Sequence, residues 1–143
     1  MTGMKRFAAD IQIDAEPDAV WAVITDASRY TEWDSGVTRV DGEIRDGEKI
    51  VVRAAVGGDR AFPVKVEQAP THRSMTWTGG MPFGLFRGVR TFTLTGRNGG
   101  THLDLHEEFT GPLLGLIGRS MPDLGPSFQQ YVSGVKAEAE RPK

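Results

Sequence analysis

The sequence predicts an α+β chain in which a curved antiparallel sheet of about seven strands wraps around a long C-terminal helix. In the segment 111–140, Leu113, Ile117, Met121, Leu124, Phe128, Tyr131 and Val135 recur at steps of three and four residues. That spacing makes one apolar stripe of a helix, with Arg119, Gln129, Lys136 and Glu138 facing away. From position 37 to 110 the pattern changes to alternation punctuated by turn residues, the period of half-buried strands. A sheet with one polar face must cover the other, and the terminal helix is the large partner the chain offers. Pro122 and Pro126 lack the amide proton that a helix interior needs, so one helix or two in series is expected. The break belongs between Ser120 and Ser127, with the regular part at about 127–140.

Taken in order, Phe7, Ala9, Ile11 and Ile13 alternate with polar positions and predict a first strand. A helix follows over 17–26, because Pro17 suits a first turn and Asp18 lies near the positive end of the helix dipole. Its apolar face is Val20, Trp21, Val23 and Ile24, and a further helical turn is expected within 27–34, which carries Tyr30 and Trp33. Val40, Gly42 and Ile44 alternate before Asp46-Gly47, and Ile50, Val52, Ala54 and Val56 after it. A two-residue turn there would oppose the two apolar faces. A three-residue loop with Gly47 left-handed would instead pair Val40 with Val52 and Gly42 with Ile50, and is preferred. Gly57-Gly58 marks a reversal, Phe62, Val64 and Val66 alternate, and after Pro70 so do Arg73, Met75 and Trp77.

The last hairpin defines its own register. Asn98-Gly99 is the pair that a two-residue type I′ turn requires, since both central residues need positive φ. Stepping outward from Arg97 opposite Gly100 pairs Leu94 with Leu103, Phe92 with Leu105, Arg90 with Glu107 and Gly88 with Phe109, all on one face. An Arg and a Glu thus face each other on the apolar side. The other face opposes Thr91, Thr93 and Thr95 to His102, Asp104, His106 and Glu108, and reads as solvated surface.

Composition narrows the function. With 143 residues and 38% hydrophobic content, positions 1–143 suit a single domain with its own core. The absence of Cys removes thiolate catalysis and Cys-ligated metal sites and fits a reducing compartment, so a cytoplasmic location is expected. The apolar run after Lys5-Arg6 is too short for a secretion signal, and no run approaches the ~20 residues that span a bilayer. No stable membrane insertion is expected. A formal net charge of −2 with both signs interspersed along the chain offers no basic face for nucleic acid or anionic lipid.

The order of elements, together with PDAVWAVITD followed by YTEW, the FTL of the sixth strand, EEFTGPL leading into the last helix, and that helix itself, resembles the START-like (SRPBCC, Bet v 1-like) superfamily. Its polyketide cyclase/dehydrase and lipid-transport branch is the most similar. The resemblance covers nearly the whole chain through loose apolar patterns, without a catalytic signature. It implies a helix-grip fold around a hydrophobic cavity, in a superfamily whose members bind or carry lipids, hormones, quinones and polyketides, some cyclising or dehydrating them. Trp21, Trp33, Phe92, Leu94, Glu107, Phe109 and Gly111 fall on that pattern, mainly at structural positions or cavity walls. Pro122 and Pro126 depart from it.

For chemistry, Arg90 and Glu107 stand out, because charges facing an apolar interior are costly unless paired and can orient a polar headgroup. Glu107 is the one candidate acid or base, and the structural reading of the pair is a brace. The apolar loop 79–88, with Met81, Phe83, Leu85 and Phe86 between flexible glycines, reads as core cover, as a gate, or as a contact for a partner or second copy. The expected ligand-contacting set is Trp33, Met75, Trp77, Met81, Phe83, Phe86, Arg90, Phe92, Leu105, Glu107, Met121, Leu124 and Phe128. Many of these large residues also serve as core.

No metal site or cofactor is expected. His102 and His106 on one strand lie about 13 Å apart, too far to share an ion, and His72 begins a strand without a partner. No GxSxG elbow or P-loop occurs. The sequence therefore points to binding, and carriage, of a small hydrophobic molecule such as a lipid, polyketide or isoprenoid between sheet and helix. A cyclase or dehydratase using the same cavity is the enzymatic alternative. An interaction module using loop 81–86, including a homodimer, is the third.

Overall fold

Asn98 and Gly99 take φ values of 53° and 76°, and the hairpin they close has every pairing expected from the turn, from Arg97↔Gly100 to Gly88↔Phe109. This hairpin lies within the seven-stranded sheet of the computed structural model, which describes residues 4–58 and 60–142. The elements are β1 (Lys5–Ile13), α1 (Pro17–Thr25), β2 (Val37–Asp41), β3 (Lys49–Ala54), β4 (Ala61–Gln68), β5 (Ser74–Gly80), β6 (Arg87–Arg97), β7 (Gly100–Thr110), α2 (Leu114–Ile117) and α3 (Gly125–Ala139). The sheet order is β1-β7-β6-β5-β4-β3-β2, antiparallel throughout. Strands β2 to β7 form a meander, and β1 adds to its far edge. The sheet curls into a half-barrel around α3, the helix-grip arrangement.

The core lies on the concave face. Ile13, Ile50, Val66, Met75, Trp77, Phe92, Leu103 and Leu105 from the sheet meet Phe128, Tyr131, Val132 and Val135 from α3, with Val20 and Ile24 from α1 alongside. Each buried Leu, Ile or Phe contributes about 1.5–3 kcal/mol through apolar area removed from water. The end of α3 is tied down by polar contacts. Glu140 Oε2 accepts from the Asp14 amide at 2.7 Å and from Lys136 Nζ at 2.5 Å, and Lys136 Nζ also donates to Gln12 O at 3.1 Å. These hydrogen bonds from Lys136 and Asp14 hold the Glu140 carboxyl below its ordinary range.

Three local departures from the sequence reading have physical reasons. The β2–β3 pairing has Val40 opposite Val52 as expected, but β2 stops at Asp41 and the connection runs over 42–48 in place of a three-residue loop. Gly47, left-handed at φ 83°, donates its amide to Val66 O, and Val66 donates to Glu48 O, so the connection is held by β4. Second, His72 belongs to the turn before β5 at φ 57°, with its ring stacked on Trp21 at 5.2 Å. Third, the terminal segment does break as expected, but α3 starts at Gly125. Pro126 falls in its first turn, where the amide has no helical partner to lose, as Pro17 does in α1.

Helix α3 approaches the segment after α1 closely at Gly134, where an added Cβ would stand 2.2 Å from Asp34 O and 2.9 Å from the Trp33 ring. Gly134→Ala should therefore destabilise by about 1–3 kcal/mol, overpacking outweighing the ~1 kcal/mol gain in helix propensity. Urea unfolding measures this. A variant as stable as the parent would show that the close approach does not constrain α3.

Candidate functional site

Strand register builds the site. Trp77 on β5 lies opposite Arg90 on β6, Arg90 lies opposite Glu107 on β7, and Met75 opposite Phe92 opposite Leu105 forms the adjacent row. Period-two alternation sends all six side chains to the concave face. From the helical side, Phe128 and Tyr131 of α3 and Tyr30, which follows the 3-10 turn Ala27–Arg29, close over them. The result is an aromatic cluster: Trp77 and Phe92 rings are 4.9 Å apart, Tyr131 is 5.9 Å from Phe92, and Trp33 is 5.2 Å from Tyr30 and 5.4 Å from Tyr131.

Polar groups inside this cluster are few and unequally matched. Tyr30 donates its hydroxyl to Ile24 O at 2.5 Å, and Tyr131 donates to the Tyr30 oxygen at 2.6 Å, so each proton has an acceptor. Arg90 Nε donates to Glu107 Oε1 at 2.9 Å, and the guanidinium carbon lies 4.8 Å from the centre of the Phe128 ring. Both side chains are mostly covered, at 22% and 14% exposure. That single hydrogen bond is the only one Arg90 makes through its side chain among the described residues. Glu107 Oε2 lies over Gly88, where a Cβ would come within 2.9 Å of it.

Trp77 Nε1 is buried with no hydrogen-bond partner among the described residues. Two other buried atoms share that condition, Gln12 Oε1 and His106 Nδ1, but both belong to the outward-facing set of β1 and β7. The indole N–H of Trp77 is thus the unmatched donor on the concave face, beside a guanidinium that retains further donors. Leaving such a group dry costs about 1–3 kcal/mol.

Of the residues expected to contact ligand, Met75, Trp77, Phe92, Leu105 and Phe128 are buried in this interior, with Arg90 and Glu107 at its edge. Trp33 and Leu124 are half-buried against its core, and Met121 is half-buried in the segment between α2 and α3. Phe86 is half-buried, stacked 5.7 Å from Phe109, whereas Met81 and Phe83 are exposed at 43% and 98% and stand outside the interior. Two clefts lie away from α3. One, of about 510 Å³, lies between the end of α1 and the β2–β3 connection, lined by Asp26, Ser28, Glu43 and Arg45 among others. The other, of about 280 Å³, lies over Asp46, Glu67 and Ser74. The interior between helix and sheet is filled by its own aromatic side chains. Tyr30 and Tyr131, which sequence reasoning did not place in the site, supply much of that filling. Their signal was present in the helix stripe and the YTEW segment, but only the fold brings them together.

On the outer face, His102 Nε2 lies 2.9 Å from Asp10 Oδ2, and His106 Nδ1 lies 3.5 Å from Asp104 Oδ1 without a hydrogen bond. Both imidazoles are more covered than a fully solvated surface implies, because β1 and β6 flank them. No group of three metal-binding side chains occurs among the described residues.

Burial pushes both phenols above their ordinary value near 10. Folded protein then holds these protons more tightly than unfolded protein, so their contribution is complete below about pH 10 and is lost as pH rises beyond it. Urea midpoints should fall steeply above pH 10, and Tyr131→Phe should fall less steeply while costing about 1 kcal/mol at neutral pH. Identical slopes would show that the pair is wetted.

The family model described as "Polyketide cyclase / dehydrase and lipid transport" matches residues 4–140. No curated protein matches the sequence. Among solved structures, a protein from Mesorhizobium loti is similar at 19% identity and TM-score 0.74, covering 97% of this chain and 99% of its own. The Zhui aromatase/cyclase from a Streptomyces species is similar at 18% identity and TM-score 0.76, with 97% and 95% covered. A norcoclaurine synthase point mutant from Thalictrum, in complex with a transition-state analogue, is similar at 13% identity and TM-score 0.70, with 97% and 96% covered. At these identities the structural likenesses establish the fold. The match over nearly the whole length places this chain in the polyketide cyclase/dehydrase and lipid-transport family of the SRPBCC superfamily.

Proposed function

We propose that this chain binds a small, largely apolar molecule carrying a hydrogen-bond acceptor, a lipid, polyketide or isoprenoid with a carbonyl or carboxylate head, between the sheet and α3. The observation that carries this reading is Trp77 Nε1, a buried donor without a partner, next to the incompletely used guanidinium of Arg90. An interior otherwise apolar and satisfied gains most from an occupant that fills both. Apolar contacts with Phe92, Leu105 and Phe128 would supply affinity at about 25 cal/mol per Å². Because those side chains fill the interior in this structure, an occupant enters by displacing them. The half-buried Trp33 and Leu124 and the segment between α2 and α3 stand at the rim where that displacement begins. The lack of Cys suits a cytoplasmic carrier.

Turnover is the second reading, favoured by one observation. Glu107 has one oxygen on Arg90 and the other above Gly88 with no hydrogen-bond partner among the described residues, so a carboxylate oxygen stays available for proton transfer during cyclisation or dehydration. Glu107→Gln would then abolish product formation while sparing binding.

Anilinonaphthalene sulfonate, an apolar probe with an anionic head, tests the binding reading. In a Phe83→Asp background, which removes the exposed loop as a competing apolar site, the probe should bind once per chain with a blue-shifted emission. Trp77→Phe, and the charge-removing pair Arg90→Met with Glu107→Gln, should each weaken it about tenfold, the ~1.4 kcal/mol expected of one hydrogen bond to a charged group. Unchanged affinity in both variants would remove these donors from the site.

A further inference from the structure

All of the large, markedly exposed apolar side chains among the described residues lie at one end of the molecule. They are Met4, Val56, Phe62, Met81, Phe83, Leu85 and Leu116. Strand pairing fixes this: Lys5↔Phe109, Arg87↔Thr110, Gly80↔Arg87 and Arg53↔Ala61 bring the start of β1, the end of β7, the β5–β6 loop and the β3–β4 connection to the same edge. The loop and α2 are physically joined there, since Leu113 donates its amide to Leu85 O and Lys5 Nζ donates to Gly118 O. Phe83 forms the tip, 98% exposed, with a left-handed φ of 61° next to Gly84 at 67°.

Among the described residues the charges at this end are unbalanced. Arg60, Arg87 and Arg119 are exposed and have no ion-pair partner among the described residues. Of the acids nearby, Glu108 lies 3.9 Å from Arg6, while Asp123 and Asp34 accept from the neutral Gly125 amide and Gln130 side chain and are fewer than the cations Lys5, Arg53, Arg60, Arg87 and Arg119. Many of the remaining acids, including Asp14, Glu16, Asp18, Asp41, Glu43, Asp46, Glu48 and Glu67, lie at the opposite strand ends or in α1. Arg45 and Arg73 pair with Glu43 and Asp18 at that opposite end, whereas Arg60, Arg87 and Arg119 at the apolar end stay without an ion-pair partner among the described residues.

We propose that this end docks peripherally on an anionic bilayer surface, with Phe83, Leu85 and Leu116 at the acyl boundary and Arg60, Arg87 and Arg119 among the phosphates. An apolar tip ringed by cations is what an interfacial site requires, and no helix of the described residues is long and apolar enough to cross a membrane. A second copy of this chain fits less well. A two-fold contact through the tip would bring the same three unpaired arginines of both copies together, whereas anionic headgroups neutralise them. The docking stands whether or not the interior takes a ligand, and it adds a surface role that the sequence reading of loop 79–88 left open.

Co-sedimentation of the full chain with vesicles decides it. The protein should pellet with phosphatidylcholine vesicles containing phosphatidylglycerol, stay in solution with phosphatidylcholine alone, and be released as salt is raised. Phe83→Asp and Arg87→Glu, both at exposed positions, should each reduce the bound fraction about tenfold with unchanged thermal unfolding. Three results would overturn the proposal: no pelleting with either vesicle, equal pelleting with both, or undiminished binding of Phe83→Asp. A lipid-free dimer dispersed by Phe83→Asp would assign the surface to a second copy instead.

Discussion

The register of the β6–β7 hairpin is the constraint on which the rest of the structure depends. Positive φ at Asn98 and Gly99 admits one two-residue turn, and that turn sets Arg90 against Glu107 and Phe92 against Leu105. A slip of one residue would carry all four to the outer face and bring Thr91, Asp104 and His106 inside. The neighbouring strands inherit the same phase: β5 aligns Trp77 with Arg90, and β1 aligns Phe7 with Glu107. One local turn thus determines which groups meet α3.

That dependence explains what could be read from the sequence. Pairings around Asn98-Gly99 follow from backbone chirality alone and were legible residue by residue. The opposition of Val40 and Val52 was legible too, from parity, but the path of 42–48 was not, because it rests on a backbone pairing of Gly47 and Glu48 with Val66 that no local pattern signals. The helical break at Pro122 was legible as a missing donor. The start of α3 two residues early depends on Pro126 being in a first turn, which sequence periodicity places only loosely.

The candidate site was legible in its strand residues and obscure in its helical ones. Arg90 and Glu107 were visible as charges on an apolar face. Tyr30 and Tyr131 are 101 positions apart, and their hydroxyl contact at 2.6 Å exists only because α3 lies across the 3-10 turn after α1. Nor could composition reveal that the unpaired Arg60, Arg87 and Arg119 meet at the apolar end, since that is a property of which strand ends coincide. The same strand polarity puts the acids of the β2–β3 connection at the opposite end.

What joins fold to function is an imbalance. Tyr30, Tyr131 and Arg90 in the concave interior each have an acceptor, while the Trp77 indole N–H has none among the described residues. Such a donor destabilises a purely structural core and favours an occupant with an oxygen to offer. The most direct measurement is the indole N–H resonance of Trp77, assigned against Trp21 and Trp33 by Trp77→Phe and followed in proton–nitrogen spectra as decanoate is added. A bond-free upfield position in the apo protein, moving downfield as decanoate saturates, is the predicted result. A resonance already at a hydrogen-bonded position without ligand, or one that stays fixed while decanoate binds, would contradict it.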